Sequence, residues 1–204
     1  MRDPLGRIAP GLPHGVRVVL DWIITIGGAI LIVFALKAWV VNPYRIPSSS
    51  MEPTLHCAKP APGCEASGGF FSGSDRVLAN RFIYHFRDPK RGEIIVFKTP
   101  PGVEQKCGAG GTFVKRLIGL PGETVSEKNG FVFIDGKPLV EPYLQPQRRD
   151  HMSGSWRVPA GDYFFMGDNR NESCDSRSWG PVPRKNLIGE VFFVYWPPNR
   201  IGFR

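Results

Sequence analysis

The sequence predicts a mainly β protein, in which one N-terminal transmembrane helix precedes an antiparallel β-rich domain with a small inserted β subdomain. Two observations carry this prediction. A single long apolar stretch lies near the N-terminus, and short aromatic and β-branched runs separated by Gly and Pro follow it. A third observation, the lack of an amphipathic helical pattern after residue 42, argues against a doubly wound α/β fold.

Length and charge restrict the functional classes. The chain has 204 residues, which leaves room for one membrane segment and one modest globular domain. Its formal net charge is +8 at pH 7, yet the basic residues are scattered and form no run of five or more. A basic face held against anionic lipid fits this charge as well as nucleic acid does, since each nearby Lys or Arg adds about 1 kcal/mol of attraction. Charge alone therefore does not choose a partner.

The apolar stretch predicts a transmembrane helix over residues 18–41. From Trp22 to Val41 the chain has twenty residues with Lys37 as the one charge, enough to cross a hydrocarbon layer of roughly 30 Å. A cleaved signal peptide is disfavoured, because its apolar region spans about 7–15 residues and ends at a small-x-small site. No Ala-x-Ala pair occurs where this stretch ends.

The basic residues before the span predict its orientation. Arg2, Arg7 and Arg17 precede the span and slightly outnumber the basic residues at its far end. We therefore expect a single-pass protein of the plasma membrane, with residues 1–17 in the cytoplasm and residues 42–204 outside.

The domain after the membrane reads as strands and loops. Pro43 is expected to end the helix, and Asn129-Gly130 and Asp135-Gly136 bracket the run FVFI, which predicts a hairpin. The stretch from about 125 to 160 is expected to form an inserted β hairpin or cap region. The predicted strands are LANRFIYHF, EIIVFK, TFVKRLIGL, FVFIDG, DYFFMG and EVFFVYW.

Four cysteines lie in the domain that we expect outside the cell. Such a compartment permits disulfides, and a Gly/Pro-rich loop joins Cys57 to Cys64. We expect a Cys57–Cys64 bridge, with Cys107–Cys174 as the accompanying pair. Four cysteines allow three pairings, so the assignment stays open at this point.

Three segments contain candidate catalytic residues: IPSSSMEPTL (46–55), FVKRLIGLPGE (113–123) and MGDNRNESCDSRSWG (166–180). The chain has no G-x-S-x-G elbow and no S-x-x-K motif, and no histidine lies in these segments. A calcium loop is excluded, because Arg170 occupies a ligand position and Ser173 stands where the loop needs Gly. Without histidine a serine needs another base, and a lysine in apolar surroundings, as at Lys115, serves when its pKa is depressed.

Together these segments resemble the bacterial type I signal peptidases. The family pattern P-S-x-S-M-x-P-T-L is matched by residues 47–55, and K-R-x-x-G-x-P-G-[DE] by residues 115–123. The pattern G-D-N-R-x-x-S-x-D-S-R-x-x-G is matched without a gap by residues 167–180. The resemblance runs from about residue 18 to 197, and it implies a catalytic domain of the signal peptidase type.

The resemblance implies a role for each matched position. Ser50 would be the nucleophile and Lys115 the general base. The Ser48 hydroxyl and the Ser50 N–H would form the oxyanion hole, and Ser173 would hydrogen-bond the Lys115 amine. Two ion pairs would brace the site: Asp168 with Arg116, and Asp175 with Arg177. The pocket for small P1 and P3 side chains would be lined by Ile46, Pro47, Met51, Leu55, Phe113 and Val114.

The implied activity is that of a membrane-bound serine endopeptidase, which removes signal peptides from secreted preproteins after small-x-small sites such as Ala-x-Ala. The expected partners are secreted preproteins delivered by the secretion machinery and the lipid membrane, with no nucleic acid, no cofactor and no metal. The alternative is a specialised peptidase of conjugation or of an organelle inner membrane. A Ser-Lys self-cleaving repressor is disfavoured because an apolar span precedes the catalytic segment. A catalytically dead binding module is disfavoured because Ser50, Lys115 and Ser173 are all present.

Overall fold

The computed structural model describes residues 13–39, 41–57, 59, 61–64 and 73–204. These residues form two compact units, which divide between Val41 and Asn42. Of the predicted cytoplasmic segment 1–17, residues 1–12 lie outside the described residues.

The N-terminal unit contains one long helix, α1 (His14–Trp39). The Pro13 carbonyl accepts hydrogen bonds from the N–H groups of Val16 and Arg17, at 3.0 and 3.2 Å, which places the helix start before the predicted residue 18. The stretch His14–Phe34 is long and apolar enough to cross a membrane, and its side chains are mostly exposed.

The chain changes from helix to strand earlier than predicted. Helix α1 ends at Trp39, and Pro43 lies inside strand β1 (Val41–Arg45) instead of ending the helix. Strand β1 is at one edge of its sheet, where a residue without an N–H is tolerated.

Antiparallel strands dominate the second unit, which confirms the predicted fold class. An eight-stranded sheet has the order β1-β2-β11-β3-β4-β9-β10, with β12 pairing to β11, and every pairing whose register is described is antiparallel. Its strands after β1 are β2 (Arg76–Asn80), β3 (Ile94–Lys98), β4 (Thr112–Gly119), β9 (Asp162–Met166), β10 (Val182–Pro183), β11 (Leu187–Trp196) and β12 (Gly202–Phe203). Two short helices, α2 (Val103–Cys107) and α3 (Ser176–Trp179), lie between strands.

A separate four-stranded sheet occupies the region predicted as the insertion. Its order is β7-β6-β5-β8, from β5 (Thr124–Lys128), β6 (Phe131–Ile134), β7 (Lys137–Pro138) and β8 (Gly154–Arg157). The predicted hairpin is confirmed: φ is 49° at Asn129 and 76° at Gly130, and 48° at Asp135 and 80° at Gly136. Two successive positive φ values are what a tight two-residue hairpin turn requires.

One predicted strand is shorter than its apolar run suggests. Only the first residues of LANRFIYHF belong to β2, which ends at Asn80, and a 3-10 turn covers Ile83–His85. The Asn80 side chain accepts hydrogen bonds from the N–H groups of Phe82 and Ile83, at 3.0 and 3.2 Å. This local bonding replaces strand pairing, so the run turns away from the sheet.

Three buried apolar clusters hold the second unit together. The first joins the 46–55 segment to β2 and β11, the second lies along β3, β4 and β9, and the third packs β4 and β9 against the small sheet. The segment 46–55 therefore lies directly against the core, close to the strand that contains Lys115.

Candidate active site

The Ser50 and Lys115 side chains meet, although 65 positions separate them in the chain. Ser50 lies in a 3-10 turn (Ser49–Met51), and a short hydrogen bond joins its Oγ to Lys115 Nζ. Lys115 lies within β4, opposite Ile95 of β3. Both residues are buried, with 6 % of Ser50 and 3 % of Lys115 exposed. The hydroxyl is thus paired with a basic group that little water reaches.

The Lys115 amine has a strongly altered acidity. Burial lowers the pKa of Lys115 from 10.5 to about 8, because the charged form loses its hydration. The carboxylates of Asp175 and Asp168 act in the opposite direction, while Arg177 adds to the lowering. A neutral amine, which can accept a proton, is therefore well populated near pH 8.

The paired side chains open into a cavity of about 500 Å³. Tyr44 to Ser48 lie along one of its walls and Thr112 to Lys115 along another. Ser48 is exposed to this cavity, and its Oγ is 3.3 Å from Ser50 Oγ. Two hydroxyls thus lie beside one amine in a cleft large enough for a short stretch of peptide.

Most of the predicted pocket residues line this cavity, with one exception. Leu55 is fully buried and belongs to the apolar cluster beneath the wall, together with Ile46 and Met51. The prediction that Leu55 lines the pocket is therefore wrong, because its side chain supports the wall from behind. The lining residues that were predicted are Ile46, Pro47, Met51, Phe113 and Val114.

Part of the cavity wall was not predicted. Cys107, Ala109, Gly110, Glu172 and Cys174 also line the cavity. A Cys107–Cys174 disulfide fastens α2 to the chain beside Ser173, and a Cys57–Cys64 disulfide closes the loop after the nucleophile segment. Both disulfide pairings are confirmed. The motifs could not predict this part of the wall, because its residues lie between the motifs or at positions where a motif accepts any residue.

The chain after β9 connects the segment 46–55, which contains Ser50, to β4. Asp168 accepts hydrogen bonds from Arg116, at 2.8 Å from Nε and 2.6 Å from Nη2, and from Thr54 Oγ1 at 2.5 Å. Asn169 donates from its backbone N–H to the Ser50 carbonyl at 3.0 Å, and from Nδ2 to the Ser49 carbonyl at 3.1 Å. These contacts join the segment that contains Ser50 to the strand that contains Lys115. The contacts of Thr54 and Asn169 were not predicted, although both residues match the motifs.

Arg177 connects the site to the insertion. Its guanidinium donates to Asp175, at 2.8 Å from Nε and 2.9 Å from Nη2, as the predicted pair requires. Its Nη1 also contacts Asp150 and lies 3.4 Å from Glu127 Oε1. Burial raises the pKa of Glu127 to about 7, with Arg177 opposing that change. Glu127 and Asp150 were missed, because nothing local relates them to Arg177.

The predicted hydrogen bond from Ser173 to Lys115 is not formed in this structure. Ser173 Oγ is buried and has no hydrogen bond of ordinary length among the described residues, although it lies close enough to Asp175 to help lower the pKa of that carboxyl. The backbone at Gly167 packs against Ser173 Oγ so closely that no Cβ would fit there. The Lys115 amine turns to Ser50 instead.

Comparisons with known proteins identify the family to which the chain belongs. The family model for "Signal peptidase, peptidase S26" matches residues 19–196. A signal peptidase I of Leptolyngbya laminosa is 38 % identical over 202 residues, covering 98 % of this chain and 91 % of the relative. Signal peptidase I P of Bacillus subtilis subsp. natto is 35 % identical over 193 residues, covering 90 % and 92 %.

A crystal structure of a signal peptidase I from Enterococcus faecalis is 31 % identical to this chain. It covers 52 % of this chain and 97 % of its own, with a TM-score of 0.43. The family resemblance of the three motifs is confirmed by the family match and by the two relatives. The chain belongs to the peptidase S26 family of signal peptidases.

Proposed function

We propose that this chain is a membrane-bound serine endopeptidase that removes signal peptides from secreted preproteins after small-x-small sites, with Ser50 as nucleophile and Lys115 as general base. The short hydrogen bond between Ser50 Oγ and a buried Lys115 amine is the observation that carries this proposal. Burial leaves a substantial fraction of that amine uncharged near pH 8, so it can accept the hydroxyl proton.

The reaction follows from this pair. Ser50 Oγ attacks the scissile carbonyl while Lys115 Nζ takes its proton, and the new oxyanion is held by the Ser48 hydroxyl and the Ser50 N–H. The Lys115 ammonium then protonates the departing amine, which releases the mature protein and leaves an acyl-Ser50 ester. Lys115 next takes a proton from water, whose oxygen attacks the ester carbonyl. The bond between that carbon and Ser50 Oγ then breaks, Lys115 returns its proton to Ser50 Oγ, and the signal peptide leaves with a free carboxylate.

The cavity walls support an extended substrate. The segments Tyr44–Ser48 and Thr112–Lys115 both lead toward Ser50, so a peptide strand lies between them with successive side chains on opposite sides. Small P1 and P3 side chains then face the apolar wall of Ile46, Met51 and Val114. The substrates are secreted preproteins with Ala-x-Ala at the end of the signal peptide.

Helix α1 contains an apolar stretch, His14–Phe34, that is long enough to anchor the chain in a membrane. We place residues 1–17 in the cytoplasm, the anchor at 18–41 and the catalytic domain, 42–204, outside the plasma membrane. Protease added to intact spheroplasts should then digest the 42–204 domain. Protection of that domain until the membrane is opened would reverse the orientation.

Cleavage of a synthetic Ala-x-Ala peptide by the detergent-solubilised chain tests the activity. Ser50→Ala, Lys115→Ala and Lys115→Arg should each remove nearly all turnover, because guanidinium remains charged and cannot act as a base. The double variant Ser50→Ala/Lys115→Ala should lose little more than either single variant, since the two groups act as one unit.

Lys98→Arg is the matched control for Lys115→Arg. Lys98 is exposed at the end of the neighbouring strand β3, so this variant should retain wild-type turnover. Substantial cleavage by Lys115→Arg would contradict the assignment of the base.

A further inference from the structure

Glu172 is an acidic side chain of the active-site cavity, and it has no counterion among the described residues. Its residue is exposed and lines the same cavity as Ser50 and Lys115. Within the described part of the chain, its carboxylate forms no ion pair and no hydrogen bond. Two basic residues among the described ones line this cavity, Lys115 and Arg45. Arg45 donates a hydrogen bond from Nε to Ser74 Oγ at 2.7 Å. Glu172 is therefore available to a ligand that enters the cavity.

The backbone beneath Glu172 is well fixed. Its N–H donates to the Asn169 carbonyl at 3.1 Å, and Cys174, two positions later, is held by its disulfide to Cys107. Gly63, in the loop closed by the other disulfide, lies beside the carboxylate, since a Cβ there would be 3.7 Å from Glu172 Cδ. The carboxylate thus projects from a rim that two covalent bridges hold in place.

The position of this rim indicates which substrate side chains it meets. In an extended peptide P1 and P3 project to one side, while P2 and P1′ project to the other. If P1 and P3 face Ile46, Met51 and Val114, then P2 and P1′ face the rest of the lining. That lining contains the Cys107–Cys174 bridge and Glu172.

We propose that Glu172 is a specificity-determining residue that favours a lysine or arginine side chain at P2 or P1′ of the substrate. This inference rests on the proposed function, because it assumes that a preprotein strand occupies the cavity. A partly solvated ion pair contributes modestly, and a like charge repels by a similar amount. Exchange of Lys for Glu at the preferred position should therefore lower kcat/KM about fivefold to tenfold.

Two matched series of three peptides test the proposal: Ala-x-Ala peptides with Lys, Gln or Glu at P2, and the same three residues at P1′. In the wild type, the Lys-to-Glu ratio of kcat/KM should be about five or more at one of the two positions. Raising the salt concentration to about 0.5 M should shrink that ratio, since exposed charges are screened.

Two variants and one control complete the experiment. Glu172→Gln should bring the ratio close to one, and Glu172→Lys should invert it in favour of the Glu peptide. Glu104→Gln makes the same change of net charge on α2, at an exposed residue that does not line the cavity, and should retain the wild-type ratio.

The outcomes separate this inference from the function on which it rests. Cleavage of the Gln peptides with an unchanged Lys-to-Glu ratio in Glu172→Gln and Glu172→Lys overturns the role of Glu172 and leaves the proposed function standing. A wild type that cleaves none of the peptides overturns both.

Discussion

Replacement of Lys115 by methionine should abolish cleavage and at the same time stabilise the folded domain below pH 8. Methionine has a similar length but no charge, so it fills the same space without the cost of dehydrating an ammonium group. Burial lowers the pKa of Lys115 from 10.5 to about 8. At about 1.4 kcal/mol for each pKa unit, the protonated amine lowers the free energy of unfolding by about 3 kcal/mol.

The sign of the pH dependence follows from proton binding. Below pH 8 Lys115 is protonated in the folded and the unfolded chain, so the full cost is present. Between pH 8 and 10.5 the unfolded chain binds more protons than the folded one, and the wild type gains stability as the pH rises. Above 10.5 both states are neutral, so the advantage of Lys115→Met from the missing charge disappears.

Denaturant titrations of the detergent-solubilised chain, followed by tryptophan fluorescence at about pH 6.5 and about pH 10, measure this difference. Lys98→Met, at the exposed end of β3, is the control and should leave the pH dependence of stability unchanged. Equal effects of Lys115→Met at both pH values would refute the reasoning, because the desolvation cost would then not be the origin of the lowered pKa.

Three further predictions concern the reaction and its pocket. The kcat/KM for peptide cleavage should rise with pH around pH 8, as Lys115 becomes neutral, and His56→Gln should show the same rise. A His56→Gln variant without this rise would assign the role of base to histidine. Gly167→Ala should lower the free energy of unfolding by about 1–3 kcal/mol and reduce turnover, because a Cβ there would overlap Ser173 Oγ and the Ser50 carbonyl. A variant that melts at the wild-type temperature would contradict this packing. A peptide with phenylalanine at P1 should not be cleaved, as followed by chromatography of the products, because the closely packed wall of Ile46, Met51 and Val114 has no room for its ring. Efficient cleavage of that peptide would show that the P1 side chain does not contact this wall.

The parts of the fold that depend on local chemistry were predictable. The β5–β6–β7 meander follows from Asn-Gly and Asp-Gly turns, whose backbone preferences act without help from distant residues. Strand β1 was missed because VNPYR has no alternating pattern and contains a proline, which an edge position tolerates. The end of β2 at Asn80 was missed because the two hydrogen bonds that the Asn80 side chain accepts outweighed the β propensity of the aromatic residues that follow.

The same distinction applies to the site. The family resemblance of the motifs predicted that Ser50 and Lys115 meet. Their spacing of 65 positions alone could not predict it, because the folded domain brings them together. A motif match does not show whether a side chain faces the cavity or the core behind its wall. Leu55 was therefore assigned to the lining although it lies in the core. The contacts of Arg177 with Glu127 and Asp150 join chain positions 50 and 27 apart, and no local pattern predicts such tertiary contacts.

The bracing by Asp168 and Asn169 has a consequence for the order in which the chain is synthesised. Ser50 and Lys115 both emerge from the ribosome before the residues that hold them together. Asp168 and Asn169, which make the contacts to Arg116, Thr54 and Ser50, lie in the chain after β9. A nascent chain from which Asp168 and Asn169 have not yet emerged contains Ser50 and Lys115 but lacks the contacts that hold their segments together. Formation of the Ser50–Lys115 arrangement therefore depends on residues that are synthesised late, after strands β1 to β9.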